Sequence, residues 1–315
     1  MKKLLTTLAL CAGFALAKPI ITVSIMPQEF LLEELAGSMF KINTLAAKGA
    51  DPHTFEPKPL QMALLEKSDI YFSIGIEFED PLLPKFKDSY KHVKFVPTQE
   101  GIELIPMADH HHSHSHDEGD HFHDEFASDE EKRQEKLEHA HGHGHGHGHG
   151  HSHHELDPHI WLDPMLVKIM AQNMSKALCE RYPEHEALFK INLAKFEQKA
   201  DALDAKIKDI LKDIKSRDFM VYHPGWGYYA KRYNLVQHAV EIEGKEPKPK
   251  DLALLIEEAK EHKVKIVFVA PQFSKKAAQE VAKQVGATVV EIDNLAKEWD
   301  EELIKTTQEM AKALN

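Results

Sequence analysis

Two tripeptides of one kind, Asp51-Pro52-His53 and Asp157-Pro158-His159, lie roughly a hundred residues apart, each where a loop hands over to helical sequence. The proline before each histidine fixes its own φ and pushes the aspartate toward extended backbone, so the imidazole is held out on a stiff turn. Imidazole is the commonest metal-binding side chain, and two such turns predict a metal site built from paired histidines. Either tripeptide alone reads equally well as a turn whose histidine caps a helix or faces water. What decides between the readings is the company they keep.

The elements that would position them alternate in type. Strands are predicted at Ile20–Ile25, Lys41–Ala46, Ile70–Ile74 and Val93–Val96, with helices at Gln28–Ala36 and Pro57–Lys67 and a further segment at Pro81–Tyr90. Leu60, Leu64 and Leu65 are read as one apolar face of the second helix. This spacing of strand and helix implies βαβ units and parallel pairing. After Trp161 a helix spans Met165–Arg181, and a longer one runs from Pro183 to about Lys215. Phe196, Ala200, Leu203, Ile207, Ile210, Leu211 and Ile214 form a single stripe along it. About 30 helical residues span about 45 Å, enough to form a rigid spine between two lobes. A coiled-coil stalk is the competing reading. A second lobe follows, with strands at Phe219–His223, Leu235–Ile242, Lys265–Ala270 and Thr288–Ile292. Its helices are at Gly225–Tyr233, Lys248–His262, Ser274–Val285 and Lys297–Leu314. The fold class is therefore α/β: two lobes with mostly parallel sheets, joined by a long backbone helix, with the site in the cleft between them.

Residues 1–17 read as a cleaved secretory signal peptide: a basic Met1-Lys2-Lys3, an apolar run from Leu4 to Phe14, and Ala15-Leu16-Ala17 as cleavage site. Lipoprotein processing at Cys11 is the alternative. The domain reading is residues 18–163 for the first lobe, 164–217 for the helical region and 218–315 for the second lobe. A stretch at about 109–155 interrupts the first lobe. It holds 16 of the 23 histidines, with an alternating Gly-His run and many acids, and almost nothing apolar. That composition predicts disorder without metal and a capacity to bind it. Cys179 is the one cysteine left after cleavage, so no intrachain disulfide can form, and it is read as a buried, inert thiol. A net charge of −12 argues against nucleic acid as a partner and suits a soluble secreted protein, read as a monomer, that attracts cations.

Ligands of open parallel sheets bind beyond the carboxyl ends of the strands. Four candidates occupy such places: His53, His159, His223 in Val221-Tyr222-His223-Pro224-Gly225-Trp226, and Asp293 after Val289-Val290-Glu291-Ile292. Three imidazoles and one carboxylate suit a closed tetrahedral zinc site, although Cu2+ and Ni2+ also take imidazoles, while Mn2+ prefers more oxygen. His223 could instead close a strand-to-helix turn, and Asp293 could cap the next helix, leaving Glu77 or water as fourth ligand. His92, His185, His238 and His262 fit surface or core positions better than ligand positions.

Along essentially its whole mature length the chain resembles the metal-specific solute-binding proteins of bacterial ABC importers, and within them the zinc-uptake branch. The resemblance rests on Gly49-Ala50-Asp51-Pro52-His53-Thr54-Phe55-Glu56-Pro57 and Asp157-Pro158-His159-Ile160-Trp161-Leu162-Asp163-Pro164. It continues through His223-Pro224-Gly225-Trp226-Gly227-Tyr228-Tyr229, Tyr233-Asn234-Leu235, and Pro271-Gln272-Phe273 with Asp293. It implies metal held between lobes by His53, His159 and His223, with Asp293 at the matching fourth position. Manganese-type relatives carry glutamate where this chain has His223, and a His-rich insert before the second tripeptide is typical of zinc-type members. Pro52 stands where some zinc members have an acid, which places more weight on Asp293. The implied role is periplasmic capture of Zn2+, as cargo, for delivery to a membrane permease driven by its ATPase. No catalytic motif such as H-E-x-x-H is present to support a zinc hydrolase. A metal buffer or chaperone, a binding protein for another divalent metal (Mn, Ni or Cu), and a surface adhesin are the other readings.

Overall fold

The alternation of β-rich and helical runs resolves into two parallel sheets of four strands each. The first comprises β1 (Ile20–Ile25), β2 (Lys41–Ala46), β3 (Ser68–Ser73) and β4 (Lys94–Pro97), in the order β2-β1-β3-β4. α1 (Met26–Ala36), α2 (Pro59–Leu65) and α3 (Leu83–Ser89) connect them, with a 3-10 turn at Glu77–Glu79. The second repeats the order as β6-β5-β7-β8, from β5 (Asp218–Val221), β6 (Val236–Ala239), β7 (Ile266–Val269) and β8 (Thr288–Glu291). This computed structural model describes residues 17–107, 156–241 and 248–315. Residues 1–16, most of the expected signal peptide, and the His-rich stretch at 109–155 lie outside the described residues.

Side chains on a strand alternate between faces, and the second sheet shows the consequence. Phe219, Val221 and Phe268 join the main core, whereas Met220, Tyr222, Val267 and Val269 build a smaller one on the opposite face. In the first sheet Ile21, Val23 and Ile25 of β1 are fully buried, and so are the intervening Thr22 and Ser24. Buried hydroxyls need partners. Thr22 Oγ1 bonds Ser68 Oγ at 2.7 Å and Ser24 Oγ bonds the Tyr71 hydroxyl at 2.8 Å.

α4 (Pro164–Arg181) starts where Asp163 caps it, its carboxylate accepting from Met165 N at 2.8 Å, and Pro164 takes the first helical position. The single helix expected from Pro183 to Lys215 is shorter. A 3-10 turn at Pro183–His185 precedes α5 (Glu186–Leu211), whose 26 residues span about 39 Å. Phe189, Phe196, Ala200, Leu203, Ile207 and Leu211 form its buried stripe. α6 (Gly227–Tyr233), α7 (Pro249–Glu261), α8 (Lys275–Val285) and α9 (Trp299–Ala313) complete the second lobe. α5 packs on α1, α4 and α9, thus on both lobes. Lys199 of α5 bridges Glu34 of the first lobe at 3.0 Å and Asp300 of the second at 2.8 Å. Lys297 reaches back to Glu29 and Glu33 at 2.7 and 2.8 Å.

Two indoles lock the middle of the molecule. Trp161, fully buried, donates from Nε1 to the Asn294 carbonyl at 2.6 Å, and Trp299 donates to the Trp161 carbonyl at 2.7 Å. Two expectations need correction. Leu60 is 71 % exposed while Leu65 is fully buried, because five residues along a helix turn about 140° and cannot share a face. Cys179 is only half-buried, since it lies at the rim of the stripe that buries Ala177 and Leu178. Among the described residues no helix is long and apolar enough to cross a membrane.

Candidate metal centre

His53, His159 and His223 converge. One ligand atom from each lies within 4.8 Å of the others, and the ring centroids are 4.6 to 5.3 Å apart. The loop after β2 carries His53, the segment entering α4 carries His159, and the bend after β5 carries His223. All three lie beyond the carboxyl ends of their strands or at the return from the first lobe, where parallel sheets offer a binding crevice.

Each ring is backed by a carboxylate at Nδ1. His53 Nδ1–H donates to Glu77 Oε2 at 2.7 Å, His159 to Asp157 Oδ1 at 2.7 Å, and His223 to Glu241 Oε2 at 2.6 Å. A carboxylate can only accept here, so the proton sits on Nδ1 and the Nε2 lone pair is left for something else. His223 Nε2 is buried and has no hydrogen-bond partner. A buried polar atom in that state is costly unless a ligand completes it. Carboxylate, imidazole and cation in line is the arrangement by which proteins orient histidine ligands and raise their basicity.

The two Asp-Pro-His turns share a backbone device but not a ring partner. Asp51 Oδ1 accepts from His53 N at 3.0 Å, and Asp157 Oδ1 accepts from His159 N at 2.9 Å. Asp157 also takes the ring, whereas His53 turns to Glu77. Two residues on, in the same 3-10 turn, buried Glu79 accepts from Ile74 N at 3.0 Å and Gly75 N at 2.7 Å, and from the Ser24 hydroxyl. Burial pushes the Glu79 carboxyl above its ordinary range.

Glycines let the second lobe approach. A Cβ on Gly225 would stand 3.1 Å from two atoms of the His159 ring, and one on Gly227 would stand 2.5 Å from Asp157 Oδ2. Tyr228 secures the same aspartate from behind: its hydroxyl donates to the Asp157 carbonyl at 2.8 Å and accepts from Ile105 N at 3.1 Å. Phe273 stacks on His223 with centroids 4.6 Å apart.

Exposure falls steadily across the site. The His53 side chain is 17 % exposed, that of His223 9 % and that of His159 1 %. Burial pulls the His53 imidazole down, but the bonded Glu77 carboxylate outweighs it and leaves His53 above 6.5. Burial wins at His223, which is held down to about 4 despite Glu241. The opposite effect on Glu77 agrees: burial pushes it up, and the His53 bond brings it below its ordinary value.

Asp293 does not belong to the close trio. Its Oδ1 accepts from Leu295 N at 3.0 Å and from Gln272 Nε2 at 3.3 Å, in a turn well before α9. Its neighbour Asn294 nevertheless lies against the Gly225–His159 contact. The sequence alone does not mark Asp157 and Glu241 as functional groups. Asp157 was readable from its own tripeptide. Glu241 was not, because its pairing depends on β6 lying beside β5.

The model of the ZnuA family, zinc-uptake complex component A, periplasmic, matches residues 21–315. The high-affinity zinc uptake system protein ZnuA of Haemophilus influenzae is 38 % identical over 308 residues, covering 93 % of this chain and 91 % of its own. The protein of the same name from Bacillus subtilis is 26 % identical over 281 residues, with 87 % and 78 % covered. A crystal structure of ZnuA superposes with a TM-score of 0.77 at 34 % identity, covering 95 % of this chain and all of that one. A ZnuA deletion mutant with zinc bound matches at 0.77 and 33 %, covering 95 % and 99 %. With a trio of backed imidazoles between two like sheets and a match along nearly every residue, this chain belongs to the ZnuA family of periplasmic zinc-uptake proteins.

Proposed function

We propose that the chain is the extracytoplasmic zinc-binding component of a high-affinity ABC importer. It captures Zn2+ in the cleft as cargo, delivers it to a membrane permease whose ATPase drives import, and catalyses nothing itself. It is exported by a cleaved leader and works as a monomer. His53, His159 and His223 hold the ion through Nε2. Asp293 supplies the fourth ligand by swinging from the turn it now caps, while Glu77 stays with His53.

The observation that carries this reading is the inward Nε2 of three histidines whose Nδ1 atoms all face carboxylates. Three nitrogens favour zinc over a harder ion such as Mn2+. With neutral rings the shell carries three negative charges on Glu77, Asp157 and Glu241, which a dication offsets. Calorimetric titration with Zn2+ tests the proposal. Each of His53→Ala, His159→Ala and His223→Ala is expected to weaken tight binding on the order of 100-fold, about 3 kcal/mol per ligand. Wild-type affinity in all three would sink it. Asp293→Ala separates a carboxylate ligand from water: unchanged affinity assigns the fourth position to water.

A further inference from the structure

A second group of metal-ligating side chains lies at the other end of the second sheet, away from the cleft. Asp218 opens β5, His238 lies within β6, and His262 caps the carboxyl end of α7. One ligand atom from each lies within 4.8 Å of the others. Asp218 Oδ1 is 3.0 Å from His238 Nε2 and 3.1 Å from His262 Nδ1, and the two rings are 4.4 Å apart.

One donor, His238, is prepared as the cleft histidines are. Glu258 Oε1 lies 2.7 Å from His238 Nδ1, and the carboxylate can only accept, so the proton is on Nδ1. The Nε2 lone pair then faces the Asp218 oxygen, acceptor against acceptor, unless a proton or a cation lies between them. Glu258 and His262 are four residues apart on α7 and so share a face. His262 sits where the helix dipole presents its negative end, which favours a cation. Ligands about 2.1 Å from a tetrahedral ion stand about 3.4 Å from one another, so the two separations from Asp218 need to widen by only a few tenths of an ångström. The His238 residue is 8 % exposed, whereas the His262 and Asp218 side chains are 35 % and 26 % exposed. Asp218 and His262 border a cavity of about 330 Å3, which leaves room for water to complete the shell.

We infer that Asp218, His238 and His262 form a second divalent-cation site, of the zinc class, on the face of the second lobe remote from the cleft. Three protein ligands and an open position make it a weaker site than the cleft, and Lys215, Lys263 and Lys265 on the cavity wall weaken it further. The ion ties the start of β5 to β6 and to the last turn of α7.

Zinc-edge anomalous scattering from crystals of the full chain, grown with excess Zn2+, tests the inference. A peak is expected about 2.0–2.2 Å from His238 Nε2, a His262 nitrogen and an Asp218 oxygen. A filled cleft with no density at this group overturns the inference, and the pair is then an imidazolium bridged by Asp218. A peak here with an empty cleft supports this site and counts only against the cleft assignment. In calorimetry, Asp218→Asn and His262→Ala are each expected to lose one weaker equivalent while the tightest binding stays unchanged. Unaltered stoichiometry in both variants also overturns it.

Discussion

Protonation competes with metal at an imidazole, and His53 and His223 do not compete equally. His53 lies above 6.5 because Glu77 stabilises its charged form, while buried His223 stays neutral down to about 4. As pH falls, His53 takes up a proton before His223 does. Zinc affinity should therefore begin to drop above pH 6.5, through His53, with His223 adding nothing until the pH approaches 4. Titrations from pH 8 to 5 in buffers of different ionisation enthalpy check this by counting released protons, and Glu77→Gln should shift the onset downward. A flat profile over that range contradicts it. Asp157→Asn and Glu241→Gln keep all three ligands but remove their backing, and are expected to cost about 10–100-fold in affinity. The convergence of His53 and His159 could be read from local sequence, since Asp-Pro-His announces a stiff turn, whereas His223 was readable from its place at the end of a strand. Their carboxylate partners divide by reach: Asp157 is two residues from its ring, while Glu77 and Glu241 come from segments that follow other strands, β3 and β6.

Close approach and ion pairing between elements decide how firmly the site is held. Gly227 begins α6, and an added methyl there meets the one carboxylate that orients His159. Gly227→Ala should thus resemble Asp157→Asn, losing about 10–100-fold in zinc affinity, although alanine is the better helix former. Affinity within twofold of wild type would show that the carboxylate moves aside freely. Further along, Asp204 of α5 accepts from Arg232 Nε at 2.7 Å and from the Tyr233 hydroxyl at 3.0 Å, both on α6. Burial pushes its carboxyl up, but Arg232 and Lys208 outweigh this and hold it at about 2, against an ordinary 3.8. A depressed folded-state value gives stability that is present above 3.8 and lost as pH falls through about 2. Asp204→Asn should remove about 2 kcal/mol at neutral pH, measurable by urea unfolding, and flatten the acid limb below pH 4. Strand and helix positions followed from periodicity because both lobes bury one face of each helix. Boundaries slipped where short-range geometry intervened, as at the 3-10 turn before α5 and at Leu60.

At the scale of the molecule, the described residues of the two lobes fall in one unit with a largely common core. They should unfold in a single transition, and a ligand in the cleft should stabilise both lobes together. At 100 times its dissociation constant, zinc adds about 2.7 kcal/mol, or a rise of several degrees in Tm, readable by calorimetry with and without chelator. Two separate transitions, only one of them zinc-sensitive, would show that the lobes fold apart. The α/β class, the paired lobes and the spine could be read from sequence because they depend on patterns that repeat within each segment. Which sheet edges meet, and hence which residues share the second lobe's remote cluster, depends on strand order. No local pattern encodes that order.

Trp161, Trp226 and Trp299 are all the tryptophans in the chain, and each is buried. The Trp161 ring stands 5.0 Å from that of His159, in van der Waals range of a side chain that, as a metal ligand under the function proposed above, gives up electron density to the bound ion. Trp161 also hands its carbonyl to Trp299. The molecule therefore carries its own optical gauge. Light emitted from the middle of the protein will change in yield as cargo arrives, so loading and release can be timed by stopped-flow without attaching a dye.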